Sequence, residues 1–246
     1  MENQFLSDVV VIEDFLPSYY QDMIEEIAYF HTPFMFGNSL QGTSVLGNSS
    51  LKKKGYDGKV YEQFQLAHNV MFRNMEDFDA NTDDMKFQFY NRLDWGHYFL
   101  TPLQMGLASI GLKTSYENIF RTKINLQTQA PDIARGKYNL PHVDIADSIP
   151  EPHKALIAIY YVTNSDGDTY FFNEDDISDL NKLTIKRKIS PKKGTLAIFP
   201  AHWLHAGSHP VDSPYRIAIN YNFYATPLDN MAEKRIKDLE QVYSME

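Results

Sequence analysis

Between residues 120 and 224 the chain reads as a series of strand-length runs separated by turn chemistry, and few folds accept that pattern. Residues 120–128 alternate, with Ile124 and Leu126 set against Lys123, Asn125 and Gln127. Residues 155–163, 195–199 and 216–224 are dense in Ile, Val, Ala, Tyr and Phe, the composition of strands covered on at least one face. Asp166-Gly167 and Lys193-Gly194 fall between these runs and are turn signals. Short strands joined by turns predict a mainly β fold, a jelly roll (double-stranded β-helix) or a related barrel.

The first half reads differently. Residues 9–12, Val-Val-Val-Ile, form a short β-branched run that predicts a strand. After Pro17, the apolar residues Tyr20, Met23, Ile24, Ile27 and Ala28 recur at helical steps and predict an amphipathic helix over 19–30. Residues 37–58 hold five glycines among Ser, Asn and Lys residues; this loop is a candidate cover for a site. Phe64, Ala67, His68, Met71 and Met75 step at helical spacing and predict a helix over 62–78. A strand is expected at 87–90, and a helix over 102–110 ended by Gly111. A closing helix is expected over 229–243, capped by Asp229, with Ile236, Leu239 and Val242 or Tyr243 on its apolar stripe. The expected organisation is one domain: a helix-rich support over 1–119, a β core over 120–228 and a C-terminal helix over 229–246.

Composition removes several function classes. The chain has no cysteine, so thiolate metal sites and thiol nucleophiles are excluded. A net charge of −9 argues against a dedicated nucleic-acid binder. The basic clusters Lys52–Lys54 and Lys186, Arg187, Lys188, Lys192 and Lys193 read as solvated faces. No apolar run approaches the roughly 18 residues of a membrane span, and Met1-Glu2-Asn3-Gln4 does not open a signal peptide. A cytoplasmic, membrane-free protein is the expectation. Gly42 and Gly47 have the spacing of a phosphate loop, but Asn48-Ser49 comes next where Lys-Ser/Thr is needed. His-Glu-x-x-His and Gly-x-Ser-x-Gly do not occur.

One constellation carries chemistry. His142 and Asp144 are two residues apart, so on a strand both side chains point to one face. With 8 histidines in the chain, on the order of one His-x-Asp triplet arises by chance, so the triplet alone means little. Two residues downstream give it weight: His205 stands sixty-one residues after Asp144, and Arg216 eleven further on. Two imidazoles and one carboxylate make a three-point face that suits Fe(II) and leaves coordination positions open. An arginine downstream can fork onto the far carboxylate of an acid held at that iron. His202 and His209 compete with His205 for the third position.

The order of motifs resembles the Fe(II)/2-oxoglutarate-dependent dioxygenases, in particular the prolyl 4-hydroxylase-like branch. It is carried by Pro141-His142-Val143-Asp144, by Gly167-Asp168-Thr169-Tyr170-Phe171, by Gly194-Thr195-Leu196-Ala197-Ile198-Phe199, by Leu204-His205-Ala206-Gly207 with Pro210-Val211, and by Arg216. The likeness covers residues 120–225 well and residues 8–30 loosely. It implies a double-stranded β-helix with packing helices, Fe(II) on His142, Asp144 and His205, and 2-oxoglutarate as cosubstrate with its C5 carboxylate on Arg216. Ascorbate is implied as a supporting reductant. Tyr161 sits where some members carry a tyrosine that bonds the same carboxylate; Tyr160 would face the other way, so register decides between them. Gly167-Asp168 stands in place of the usual glycine pair, and Ala218 where some branches carry a hydroxyl two after the arginine; Asn220 is a candidate replacement.

The function so implied is hydroxylation of an unactivated C–H bond, with a prolyl or other peptidyl residue as leading substrate and succinate and CO2 as coproducts. The alternatives are the same chemistry on a small metabolite or an alkylated nucleobase, and a non-catalytic metal- or ligand-binding barrel. The partner is a peptide, a protein or a small molecule. Oligomeric state is not legible.

Overall fold

A computed structural model describes residues 8–37, 59–61, 65–72, 93–144, 152–175 and 180–228. The expected loop beyond Gly37, the strand at 87–90 and the helix at 229–243 lie outside these residues.

The framework is a seven-stranded antiparallel sheet. Its strands are β1 (Val10–Ile12), β2 (Met35–Gly37), β3 (Gln65–Phe72), β5 (Ile119–Thr128), β6 (Leu156–Tyr161), β9 (Leu196–Pro200) and β11 (Tyr215–Phe223). They lie side by side in the order β1-β9-β6-β11-β5-β3-β2. A second sheet, in the order β10-β7-β8, is built from β7 (Thr169–Phe172), β8 (Ile185–Ile189) and β10 (His205–Gly207). A short ladder pairs β4 (Leu112–Lys113) with β12 (Thr226–Pro227). Strands from the first 72 residues thus flank those of the second half in one sheet.

Both faces of the large sheet are covered. On the outer face Ile124, Ala158, Tyr160, Leu196, Ile198, Ile217, Ile219, Tyr221 and Phe223 are buried against two helices. These are α1 (Ser18–Glu26), which runs on into a π turn at Ile27–His31, and α2 (Leu93–Ser109). Ile24, Ile27, Ala28, Phe99, Leu100, Leu103 and Leu107 are the helices' buried contribution. Gly111 ends α2 at φ +73°, a conformation that costs glycine least. On the inner face Ile157, Ile159, Tyr161, Ala197, Phe199 and Ala218 meet Phe171 and Ile189 of the small sheet. The Phe171 and Phe199 rings join the sheets edge to face, 4.8 Å apart. Two facing antiparallel sheets with a shared core are the jelly-roll architecture, as the strand pattern predicts.

One expectation fails. Residues 65–72 form β3, paired with the edge of β5 from Leu66↔Leu126 to Phe72↔Arg121, and not a helix. In an eight-residue amphipathic run, three- and four-residue spacing does not separate the two periods. Pairing with an otherwise open strand edge then overrides local preference. Among the described residues no helix is long and apolar enough to cross a membrane.

Candidate active site

The inner face divides into two. Toward β6, β9 and β1 it is apolar. Toward β11 and β5 it is polar, because Arg121, Lys123, Asn125 and Gln127 of β5 register opposite Asn222, Asn220, Ala218 and Arg216 of β11. The candidate metal ligands adjoin the polar part, where Arg121 and Asn222 reach Asp144.

His142 and His205 are brought together by main chain. They form an isolated antiparallel bridge in which His142 N donates to His205 O at 2.9 Å and His205 N donates to His142 O at 3.0 Å. Each ring then turns the same way. His142 Nδ1 lies 3.1 Å from Leu140 O, and His205 Nδ1 lies 3.0 Å from Trp203 O. A carbonyl can only accept, so each Nδ1 carries the proton and each Nε2 keeps a lone pair for a ligand bond. Asp144 Oδ1 is 3.5 Å from His142 Nε2. One ligand atom from each of the three residues lies within 4.8 Å of the others; among the described residues this is the group of His, Asp and Glu side chains placed to share an ion.

The electrostatics favour a cation. Burial raises the Asp144 carboxyl, but Arg121, His142 and His205 together outweigh it and hold it well below the usual carboxylate range. Burial, then the neighbouring His142, pull His205 down to about 4, so its ring is neutral near pH 7. His205 Nε2 is buried with no hydrogen-bond partner, a state that a metal bond would relieve. Arg121 Nη2 sits 3.0 Å from Asp144 Oδ2 as an ion pair without hydrogen-bond alignment, which leaves that oxygen's lone pairs free. Asn222 Nδ2 donates to the Asp144 carbonyl at 3.4 Å.

Arg216 occupies the deeper end. Its guanidinium is buried, donating from Nη1 to Gln127 Oε1 at 2.7 Å and from Nη2 to Thr169 Oγ1 at 3.0 Å. Both acceptors are neutral. Arg216 Nε, Gln127 Nε2 and Asn139 Nδ2 are buried donors with no acceptor. Arg216 and Asn139 flank Gly207, each within 4 Å of where a Cβ on that glycine would stand. Unsatisfied donors around an arginine whose hydrogen bonds go only to neutral acceptors are the complement of a carboxylate. Gly167 lets β7 approach: a Cβ there would lie 2.7 Å from Ser208 O and 2.9 Å from Arg216 Cδ.

Register separates the two tyrosines. Tyr161 is on the inner face, its hydroxyl donating to Thr169 Oγ1 at 2.8 Å and its ring 5.7 Å from Arg216 Cζ. Tyr160 faces the helices, edge-on to Phe15. The competing histidines stand elsewhere: His202 is exposed, and His209 Nδ1 faces Thr128 O. Sequence reasoning does not single out Arg121, Gln127 or Asn139. For Arg121 and Gln127 a signal exists, the unbroken polar alternation of β5.

The sequence profile of the 2OG-Fe(II) oxygenase superfamily matches residues 128–224, which include His142, Asp144, His205 and Arg216. No curated protein matches the chain. Among solved structures, the non-heme alpha ketoglutarate-dependent carbocyclase SnoK from nogalamycin biosynthesis aligns with TM-score 0.51 at 12% identity, over 95% of this chain and 92% of its own. The epimerase SnoN from the same biosynthesis aligns with TM-score 0.50 at 10% identity, over 89% and 77%. A prolyl hydroxylase from Trichoplax adhaerens aligns at 0.49 and 12%, over 90% and 86%. At such identities the first two likenesses bear on the fold alone. Profile, fold and side-chain chemistry agree over the second half: residues 128–224 are similar to the 2OG-Fe(II) oxygenase superfamily, and His142, Asp144 and His205 converge within that span.

Proposed function

We propose that this chain is an Fe(II)- and 2-oxoglutarate-dependent dioxygenase hydroxylating an unactivated C–H bond, with a prolyl or other peptidyl residue as substrate. The observation that carries the reading is the pairing of two built sites on one inner face: three convergent ligand atoms, and a buried arginine whose hydrogen bonds reach no carboxylate.

In this reading His142, Asp144 and His205 hold the ferrous ion. Leu140 O and Trp203 O fix the ring tautomers, and Arg121 keeps Asp144 ionised. Arg216 forks onto the C5 carboxylate of 2-oxoglutarate, with Gln127 and Asn139 as further donors. Tyr161 supports this end by orienting Thr169. When bound, the ferrous ion and cosubstrate supply dioxygen activation coupled to oxidative decarboxylation, with succinate and CO2 as coproducts. The protein's share is orientation: Arg216, by fixing the far end of the cosubstrate, would lower the entropic cost of placing its other end near His142, Asp144 and His205. The apolar inner face of Ile157, Ile159 and Phe199 limits water in the recess.

The second reading keeps the chemistry and takes a small metabolite; SnoK and SnoN, which share the fold, are enzymes of nogalamycin biosynthesis. Anaerobic addition of Fe(II) and 2-oxoglutarate should produce a weak visible charge-transfer band, and the Asp144→Ala protein should lose both the band and iron-dependent succinate release. Undiminished turnover in that variant would remove Asp144 from the site. Succinate release across proline-containing peptides and small cyclic metabolites then decides between the readings.

A further inference from the structure

The polar inner face carries more positive charge than its proposed cosubstrate chemistry uses. Among the described residues three basic side chains, Arg121, Lys123 and Arg216, line it through β5 and β11 against the carboxylate of Asp144; Asp168, whose charge also reaches Arg216, is ion-paired with Lys188 at 2.9 Å. The formal surplus is two positive charges. It survives loading, because a ferrous ion and a dianionic cosubstrate cancel one another. Arg121 is spoken for by Asp144 at 3.0 Å. Arg216 has the C5 carboxylate. Lys123 has no counterpart among the described residues.

Its placement makes that notable. Lys123 sits between Arg121 and Asn125 on the inward side of β5, across from Asn220 on β11 and Asn69 on β3. It is partly buried, and no ion pair or hydrogen bond of its ammonium is found among the described residues. The apolar alternatives on this strand, Ile124 and Leu126, point to the helices. Lysine is among the residues least often buried without a partner, since a sequestered ammonium is costly unless paired. Burial, with Arg121 adding and Asp144 opposing, pushes the Lys123 ammonium down to about 8. Beside it Asn125 Oδ1 and Asn222 Oδ1 are buried without donors, so the neighbourhood suits a group that brings both negative charge and N–H or O–H donors.

We propose that Lys123 binds a carboxylate of the primary substrate, so that the enzyme selects a carboxylate-bearing molecule and places its C–H bond relative to that anchor. The inference rests on the oxygenase reading and names the substrate class of the same site. Two sources share this chemistry: the free α-carboxylate of an amino acid or small acid, and an Asp or Glu side chain next to the target residue of a peptide.

The test uses full-length protein loaded anaerobically with Mn(II) and 2-oxoglutarate, titrated calorimetrically with matched carboxylate and amide probes. L-Proline against L-prolinamide represents the first source. An acetylated, amidated Glu-Pro-Gly peptide against its Gln-Pro-Gly counterpart represents the second. At least one carboxylate should bind ten-fold or more tightly than its amide. Lys123→Gln and Lys123→Met should reduce that preference to two-fold or less, with Mn(II) and 2-oxoglutarate affinities unchanged. The pair that shows the preference identifies the source. Absence of any preference in the wild-type protein, or a preference that survives both substitutions, overturns the proposal. A ten-fold loss of 2-oxoglutarate affinity in the variants also overturns it, by assigning Lys123 to the cosubstrate. If wild-type protein binds neither Mn(II) nor 2-oxoglutarate, the oxygenase reading itself has failed, an outcome separate from the rest. Both variants remove an unpaired charge, so a fall in thermal midpoint relative to wild type would mark a structural role and count against the assignment.

Discussion

Substituting Arg216→Met separates a cosubstrate-binding arginine from a structural one. The guanidinium is buried, yet its acceptors, Gln127 Oε1 and Thr169 Oγ1, are neutral, and its Nε has none. Burial therefore pulls its pKa down, with Tyr161 and Asp168 opposing. In the protein without cosubstrate, methionine loses two hydrogen bonds but removes a desolvated charge and fills similar volume. The two effects oppose, and the net change in stability should stay within about 1 kcal/mol. With 2-oxoglutarate the balance is one-sided. Two hydrogen bonds between a guanidinium and a carboxylate are worth about 3 kcal/mol at the low end, which at 1.4 kcal/mol per decade is a roughly 100-fold weaker Kd. Arg216→Lys keeps the charge and loses the fork, so it should fall between, at about 10-fold. Calorimetric titration of 2-oxoglutarate into Mn(II)-loaded protein, beside urea unfolding of the unloaded protein, gives both numbers. A stability loss above about 3 kcal/mol with cosubstrate affinity unchanged would refute the reasoning, because it would make Arg216 a core cross-link.

Arg121→Ala leaves the Asp144 carboxylate buried without its countercharge; metal-free protein should lose about 2–4 kcal/mol at pH 7 by urea unfolding, and Mn(II) should restore part of it. Asp166 accepts hydrogen bonds from the main-chain N–H groups of Val211, Asp212 and Ser213, at 2.8, 2.9 and 2.8 Å, pinning the turn that leads into Arg216. Asp166→Ala should therefore cost about 2–4 kcal/mol by the same assay and also weaken 2-oxoglutarate binding; Asp166→Asn, which keeps acceptor oxygen but no charge, should lose less. Gly167→Ala forces a methyl group against Ser208 O and Arg216 Cδ, and should raise the 2-oxoglutarate Kd several-fold in the titration used for Arg216. Lys123 holds its proton less tightly when folded, at about 8 against 10.5 unfolded, so the unfolded chain binds more protons between those values. Wild-type stability, measured against Lys123→Met, should then rise by about 2–3 kcal/mol from pH 8 to 10.5. A flat difference would mean the ammonium is solvated.

How legible each segment is in the sequence depends on how many faces it buries. β6, β9 and β11 are covered on both sides, so their composition alone marks them as strands. The candidate metal ligands are legible because main-chain pairing of His142 with His205 needs a fixed order of strands and turns, and that order is written along the chain. β3 is not legible: it is a half-polar strand between β5 and the short edge strand β2, its main partner, β5, lies about fifty residues further on, and no local signal reports that pairing. The polar side of β5 poses a different difficulty. Alternation of Arg121, Lys123, Asn125 and Gln127 with apolar residues ordinarily means one buried and one wet face. In a jelly roll the second sheet closes over that face, so the same alternation describes a sheet with a packed outer side and a chemically active inner one. Outer-face residues of β5 are then constrained by volume, and inner-face residues by what they hold. Arg121 holds the candidate metal ligand Asp144 and Gln127 holds Arg216. Lys123 stands between them on the same face, and in the proposal made above its partner comes with the molecule that binds there.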